Sequence, residues 1–136
     1  MKELIIDAKT ENLNAVLDFI NAELEAYGCG MKTMTQISIA AEEIFVNIAH
    51  YAYDTGIGKA AVRVYINDGI TIEFEDNGKP YNPLENADPD ITAKLGEREV
   101  GGLGIFMVKN IMDAVEYKRD GGKNILTVRK NFKTSI

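Results

Sequence analysis

Residues 60–76 read AAVRVYINDGITIEFED, and this stretch decides the fold class. In its first half Val62, Val64 and Ile66 alternate with Arg63 and Tyr65, the two-residue period of a half-buried strand. The triplet NDG at 67–69 is a hairpin turn signal. ITIEFED alternates again and supplies the partner strand. Two strands joined by so tight a turn pair antiparallel.

Working outward from the hairpin, DTGIGK (54–59) is a turn or loop. Before it a helix is expected from about Lys32 to Asp54, with Ile37, Ala41, Ile44 and Ile48 along its core face. An earlier helix is expected from about Asn12 to Tyr27, where Leu13, Val16, Leu17, Ile20 and Leu24 recur at helical spacing. Thr10 is its expected N-cap, and YGCG (27–30) ends it by supplying a left-handed glycine cap. KELIID (2–7) opens the chain as a strand. On the other side, residues 77–101 contain all three prolines and no sustained pattern. A loop this long in one domain usually carries function. LGIFMVKNIM (103–112) reads as a third helix, and AVEYKR and NILTVRK close the chain as a hairpin across DGGK. The order βααββ, long loop, α, ββ predicts an α+β two-layer sandwich. Its sheet is expected to be mixed but largely antiparallel and covered on one face by helices. The whole chain, 1–136, reads as a single domain.

The chain has 136 residues, 46% of them hydrophobic, and a formal net charge of −6. That is enough apolar material for one core. The basic residues are scattered, which argues against nucleic-acid binding. A single cysteine, Cys29, excludes an intrachain disulfide framework and reads as a filler at a helix end. The N-terminus is not a signal peptide, and no apolar run approaches the roughly 20 residues that span a bilayer. The expectation is a cytoplasmic protein that does not engage membranes.

Three short stretches carry polar or glycine residues where chemistry could be done. EEIFVNIAHYAY (42–53) is mostly apolar, yet Glu43, Asn47 and His50 fall with Gln36 on one helical flank. Glu43 and Asn47 are one turn apart and point the same way. Such oxygen donors could hold a hydrated Mg²⁺ or polarise a water. Taken alone, the flank reads more readily as a solvated edge of the core. EFEDNGKPYNP (73–83) ends a strand at Asp76 and breaks it with Gly78, which permits a tight turn or a close approach to a ligand. Taken alone, it is also an ordinary Asp-Asn-Gly turn. GGLGIFMV (101–108) places glycines where a helix starts, and the free N–H groups there favour an anion. The dinucleotide fingerprint fails because a long polar loop, not a strand, precedes these glycines. The P-loop pattern fails for want of a following Gly-Lys-Ser/Thr.

The order of the three is specific. E-x-x-x-N on a helix, D-x-G after a strand and G-x-G opening a helix together resemble the GHKL ATPase superfamily. That superfamily holds gyrase B, the heat-shock chaperone ATPase, histidine kinases and the mismatch-repair ATPase. Within it the chain looks most like the small stand-alone anti-sigma factor serine/threonine kinases, over nearly its whole length. The resemblance implies a Bergerat-type ATP-binding fold with ATP and Mg²⁺ as cofactors. It implies that Glu43 is the general base and Asn47 the Mg²⁺ ligand. Asp76 would read the adenine amino group and Gly78 would let adenine pack close. Gly102, Leu103 and Gly104 would form the phosphate loop, Thr127 would support the Asp76–adenine contact, and residues from about 82 to 101 would be the ATP lid.

Two departures from the pattern stand out. Many relatives carry His in the slot of Tyr51, whereas here His50 lies one position earlier, so no role is assigned to it. Some of these kinases place an Arg where this chain has Val100, with Arg98 and Lys94 nearby as alternative cations for the γ-phosphate. The resemblance therefore implies an ATP-dependent protein kinase acting on an anti-anti-sigma-type protein. The alternative is a non-catalytic, nucleotide-dependent partner-switching module that sequesters a sigma factor or another regulator. It also implies a homodimer.

Overall fold

The alternation in residues 59–76 forms the hairpin it predicts. In the computed structural model β2 (Lys59–Ile66) and β3 (Gly69–Asp76) run antiparallel, with Val62 opposite Phe74 and Ile66 opposite Ile70. The structure describes residues 1–54, 56, 58–85 and 102–132. β1 (Lys2–Asp7) adds to β2 at one edge. β5 (Lys123–Asn131) pairs with β3 on the other side, and β4 (Ala114–Asp120) forms the far edge, giving the order β1-β2-β3-β5-β4. All four pairings are antiparallel, so among the described residues the sheet has no parallel part. The β4–β5 turn is two residues long, and both, Gly121 (φ 58°) and Gly122 (φ 80°), are left-handed. A two-residue turn of this twist needs positive φ at both positions, which glycine adopts without steric cost.

The period of two puts one face of the sheet against helices. Val62, Val64, Ile70, Ile72, Phe74, Leu126 and Val128 point inward and are buried. α1 (Leu13–Tyr27) covers them with Val16, Ile20 and Leu24. α2 (Met31–Tyr51) adds Ile37, Ala41, Ile44 and Phe45. α3 (Gly102–Ile111) adds Ile105 and Val108. The opposite face is polar. Arg63 on β2 bonds Glu3 on β1 at 2.7 Å and Glu75 on β3 at 3.2 Å. The arrangement is the expected α+β sandwich of one helical layer on one sheet.

The helix ends differ from the expectation in instructive ways. A 3₁₀ turn, Thr10–Asn12, precedes α1, so Thr10 sits a turn too early to cap it and bonds Glu11 instead. Asn12 holds the entry by donating its side-chain N–H to the Asp7 carbonyl at 3.0 Å. At the other end Gly28 is left-handed, φ 92°, and its N–H bonds Leu24 and Glu25 as a glycine cap should. Cys29 follows, packed against the core edge, and burial pushes its thiol up. α2 stops at Tyr51, three residues before the expected end. From there the chain turns to brace the loop after β3. Among the described residues no helix is long and apolar enough to cross a membrane.

Candidate active site

Between α2, α3 and the β3–β5–β4 end of the sheet lies a pocket of about 450 Å³ of empty space, mouth included. Its walls are mainly apolar: Ile44 and Ile48 from α2, Phe74 from β3, Ile105 from α3 and Leu126 from β5. Into this apolar setting the strands deliver Asp76, Asn124 and Tyr117, and α2 delivers Asn47. A concave apolar pocket with a few convergent polar groups is the usual form of a small-molecule site.

Asp76 and Asn124 are the two buried polar residues of the described chain, each 6% exposed, and β3–β5 pairing sets them opposite one another. Asn124 Nδ2 donates to Asp76 Oδ1 at 2.9 Å, and the Gly78 backbone N–H donates to the same oxygen at 2.9 Å. Those two bonds use Oδ1. Among the described residues none donates to Oδ2, which leaves it as an acceptor for a ligand. A buried carboxylate oxygen without a donor costs free energy, so an occupant bearing an N–H fits it.

The turn after Asp76 is held from three sides. The Gly78 backbone lies so close to the Ala52 carbonyl that a Cβ at position 78 would sit 2.6 Å from the Ala52 carbonyl carbon. Lys79 N–H bonds the Ala52 carbonyl at 2.9 Å. Tyr53 Oη accepts the Asn77 N–H at 2.9 Å and donates to the Lys59 carbonyl at 2.6 Å. Arg119, on the inner side of β4, donates to the Gly78 carbonyl at 2.8 Å. Gly78 is therefore a glycine because the end of α2 fills the space a side chain would need.

Glu43 and Asn47 are half buried, one turn apart on α2. Neither side chain hydrogen-bonds another among the described residues, which leaves their oxygens for other partners. Gly102, Leu103 and Gly104 form the first turn of α3, where helix N–H groups lack partners inside the helix. The Glu43 carboxylate lies directly against Gly104, in the place that a Cβ there would occupy. An acid and a glycine-opened helix start thus meet beside the wall of the pocket that Asn47 and Ile105 line. Among the described residues no cluster of three His, Cys, Asp or Glu side chains could hold a metal by itself. So sparse a set of protein oxygens suits a hydrated ion such as Mg²⁺, which keeps several waters and needs few protein ligands.

One expected site residue is elsewhere. Thr127 lies on the outer face of the sheet, between Glu73 and Glu116, because its inward neighbours Leu126 and Val128 fix the alternation. The partner of Asp76 is Asn124, three residues earlier on the inward side. His50 is exposed and makes an edge contact with the Tyr51 ring, 6.1 Å between centroids, apart from the pocket. Pro83–Glu85 form a 3₁₀ turn at the pocket mouth. The rest of the expected lid lies outside the described residues, as do Lys94, Arg98 and Val100. Sequence reasoning missed Asn124, Tyr117 and Tyr53. A signal for Asn124 exists: in NILTVRK the inward stripe Leu126–Val128 extends back to it, a polar residue on the core face.

Relatives of known kind share this architecture. A family model described as the histidine kinase-like ATPase domain matches residues 6–130. The anti-sigma F factor of Caldanaerobacter subterraneus subsp. tengcongensis is 30% identical over 128 residues, covering 93% of this chain and 89% of that protein. The serine-protein kinase RsbW of Halalkalibacterium halodurans is 26% identical over 130 residues, covering 88% of this chain and 76% of that one. In fold, the chain matches the crystal structure of the RsbU and RsbW domains of Rv1364c from Mycobacterium tuberculosis. The TM-score is 0.63 at 15% identity, over 96% of this chain and 32% of that longer one. The chain belongs to the histidine kinase-like ATPase domain family, and within it is similar to anti-sigma F factor and to the RsbW serine-protein kinases.

Proposed function

We propose that this chain is a cytoplasmic anti-sigma regulatory factor that binds ATP with Mg²⁺ and phosphorylates a serine or threonine of an anti-anti-sigma-type protein. The observation that carries this reading is the placing of Asp76 and Glu43. At one end of the pocket buried Asp76 keeps Oδ2 for the amino group of adenine. Beside the wall that Asn47 and Ile105 line, Glu43 lies against the glycine-opened start of α3. ATP would supply the phosphoryl group. Asn47 would hold Mg²⁺ through its side-chain oxygen, the first turn of α3 would face phosphate, and residues from about 82 to 101 would close over the nucleotide as a lid. Glu43 would take the proton from the attacking hydroxyl through a carboxylate oxygen. Positioning and charge stabilisation do most of the work in such transfers.

A second reading keeps the pocket and drops the transfer. Val100 stands where some kinases of this kind carry Arg, which favours a module whose nucleotide state sets which partner it holds. Labelled phosphate separates the two. With a small anti-anti-sigma-type protein encoded nearby as acceptor, the first reading expects transfer from γ-labelled ATP. Glu43→Gln should cut that rate about 10²- to 10⁴-fold while ATP still binds. Transfer at an unchanged rate removes Glu43 as base, and binding without any transfer selects the second reading. Absence of adenine-nucleotide binding at millimolar concentration sinks both.

A further inference from the structure

We infer that Lys130 is a positioning residue: from the far end of β5 it holds the last turn of α3 and so sets where the first turn of that helix stands. The inference rests on the reading above, in which that first turn faces phosphate. The inward positions of β5, Asn124, Leu126 and Val128, are buried. Lys130 continues that inward stripe, half buried and opposite Ile70 on β3. Strand alternation calls for an apolar side chain there. A lysine can lay its stem along the edge of a core, provided its ammonium finds a polar partner. Here the partner is the Ile111 carbonyl, the last of α3, which accepts from Nζ at 2.8 Å.

The carbonyls of a helix's last turn have no partner inside the helix. At the end of α1 left-handed Gly28 supplies one, and its N–H bonds Leu24 and Glu25. α3 is followed by Met112 and Asp113 instead of a glycine, and β5 supplies the fastening. The Asp113 N–H donates to the Arg129 carbonyl at 2.8 Å, and the Asn131 N–H donates to Asp113 Oδ2 at 2.6 Å. Arg129, Lys130 and Asn131 thus grip the chain in succession where it leaves α3. These bonds are directional, whereas the buried Ile105 and Val108 press the helix onto the core without direction. The grip therefore fixes α3 along its axis, and the helix carries that position about 14 Å back to Gly102. There Gly104 lies so close to the Glu43 carboxylate that a Cβ would collide with it. Even a small slide of α3 changes the spacing between the acid and the helix start. An ammonium at the C-terminal end also stabilises the helix dipole.

Binding of ATP with Mg²⁺ and of adenosine to the full chain, followed by NMR titration to millimolar concentration, separates positioning from mere stability. Adenosine lacks phosphates, so it reports on the Asp76 part of the pocket and not on the first turn of α3. Lys130→Met keeps the stem and removes the ammonium. It should weaken ATP binding about three- to tenfold and leave adenosine binding unchanged. Lys130→Arg keeps a cationic donor and should recover most of the loss. Val16→Ala, on the buried face of α1, controls for lost stability and should not alter the ratio of the two affinities. Thermal melting checks the fold of each variant. If Lys130→Met does not fold, Asp113→Ala, at an exposed position, loosens the same grip and should lower the ATP-to-adenosine ratio in its place. An unchanged ratio, whether both affinities hold or both fall, overturns the inference. Failure of Lys130→Arg to recover the loss overturns it as well. Wild-type protein that binds neither compound overturns the nucleotide reading itself.

Discussion

Gly78 touches the end of α2 with its backbone, and the cost of any side chain there follows from that contact. A Cβ would lie 2.7 Å from the Ala52 Cβ, so Gly78→Ala must push the loop off its seat. We expect a loss of about 1–3 kcal/mol in urea unfolding together with weakened ATP binding. An unaltered midpoint would show that the seat yields freely. Tyr53 braces the same loop. Burial pushes its phenol up, the Asn77 N–H pulls it back, and the Asp76 charge pushes it up again, for a net rise. The folded state thus holds this proton more tightly than the unfolded chain. That contribution is complete below the unfolded phenol value of about 10 and fades as pH rises through the higher folded value. Tyr53→Phe should therefore cost about 1 kcal/mol at neutral pH. It should also lose less stability than the wild type between about pH 9 and about pH 11. Parallel stability–pH curves for the two proteins would contradict this. Neither role was legible in the sequence, where Tyr53 is one more aromatic in EEIFVNIAHYAY. It gains a role only because Lys59, beyond the next turn, and Asn77, 24 residues on, both meet its hydroxyl.

The elements were the legible part. The 60–76 hairpin, the glycine cap at Gly28 and the DGGK turn all rest on interactions between near neighbours in sequence, so local pattern suffices. Thr127 shows where local pattern stops. Strand alternation assigns its face, and the pairing of β5 with β3 assigns its neighbours, so its true partners are Glu73 and Glu116. The Asp76–Asn124 pair depends on the same non-local register. α2 is the central element of the helical layer, packed on both α1 and α3. Its Phe45 is wholly buried between helix and sheet, so Phe45→Ala should destabilise the domain by about 3–5 kcal/mol. Chemical unfolding checks this. A loss below about 1 kcal/mol would mean the helical layer collapses readily into the gap.

At the scale of the molecule, a ligand bound only by the folded state stabilises all of it at once. ATP at a hundred times its dissociation constant should contribute about 2.7 kcal/mol and raise the melting temperature by several degrees. Asp76→Asn should abolish the shift, and a wild type whose melting ignores ATP with Mg²⁺ would contradict the pocket's assignment. The layout of the pocket along α2 has one more consequence. Glu43 lies in the body of this helix, and Ala52, just past its end, pins the turn that carries Asp76 and Gly78. At 1.5 Å per residue, the nine residues from one to the other mark off about 14 Å. The helix is thus a ruler with one mark at Glu43 and one at the turn that carries Asp76 and Gly78. Its scale is peptide geometry, so exchanging side chains cannot lengthen it. Only inserting or deleting residues would, and a single insertion would also swing the far mark about 100° around the axis.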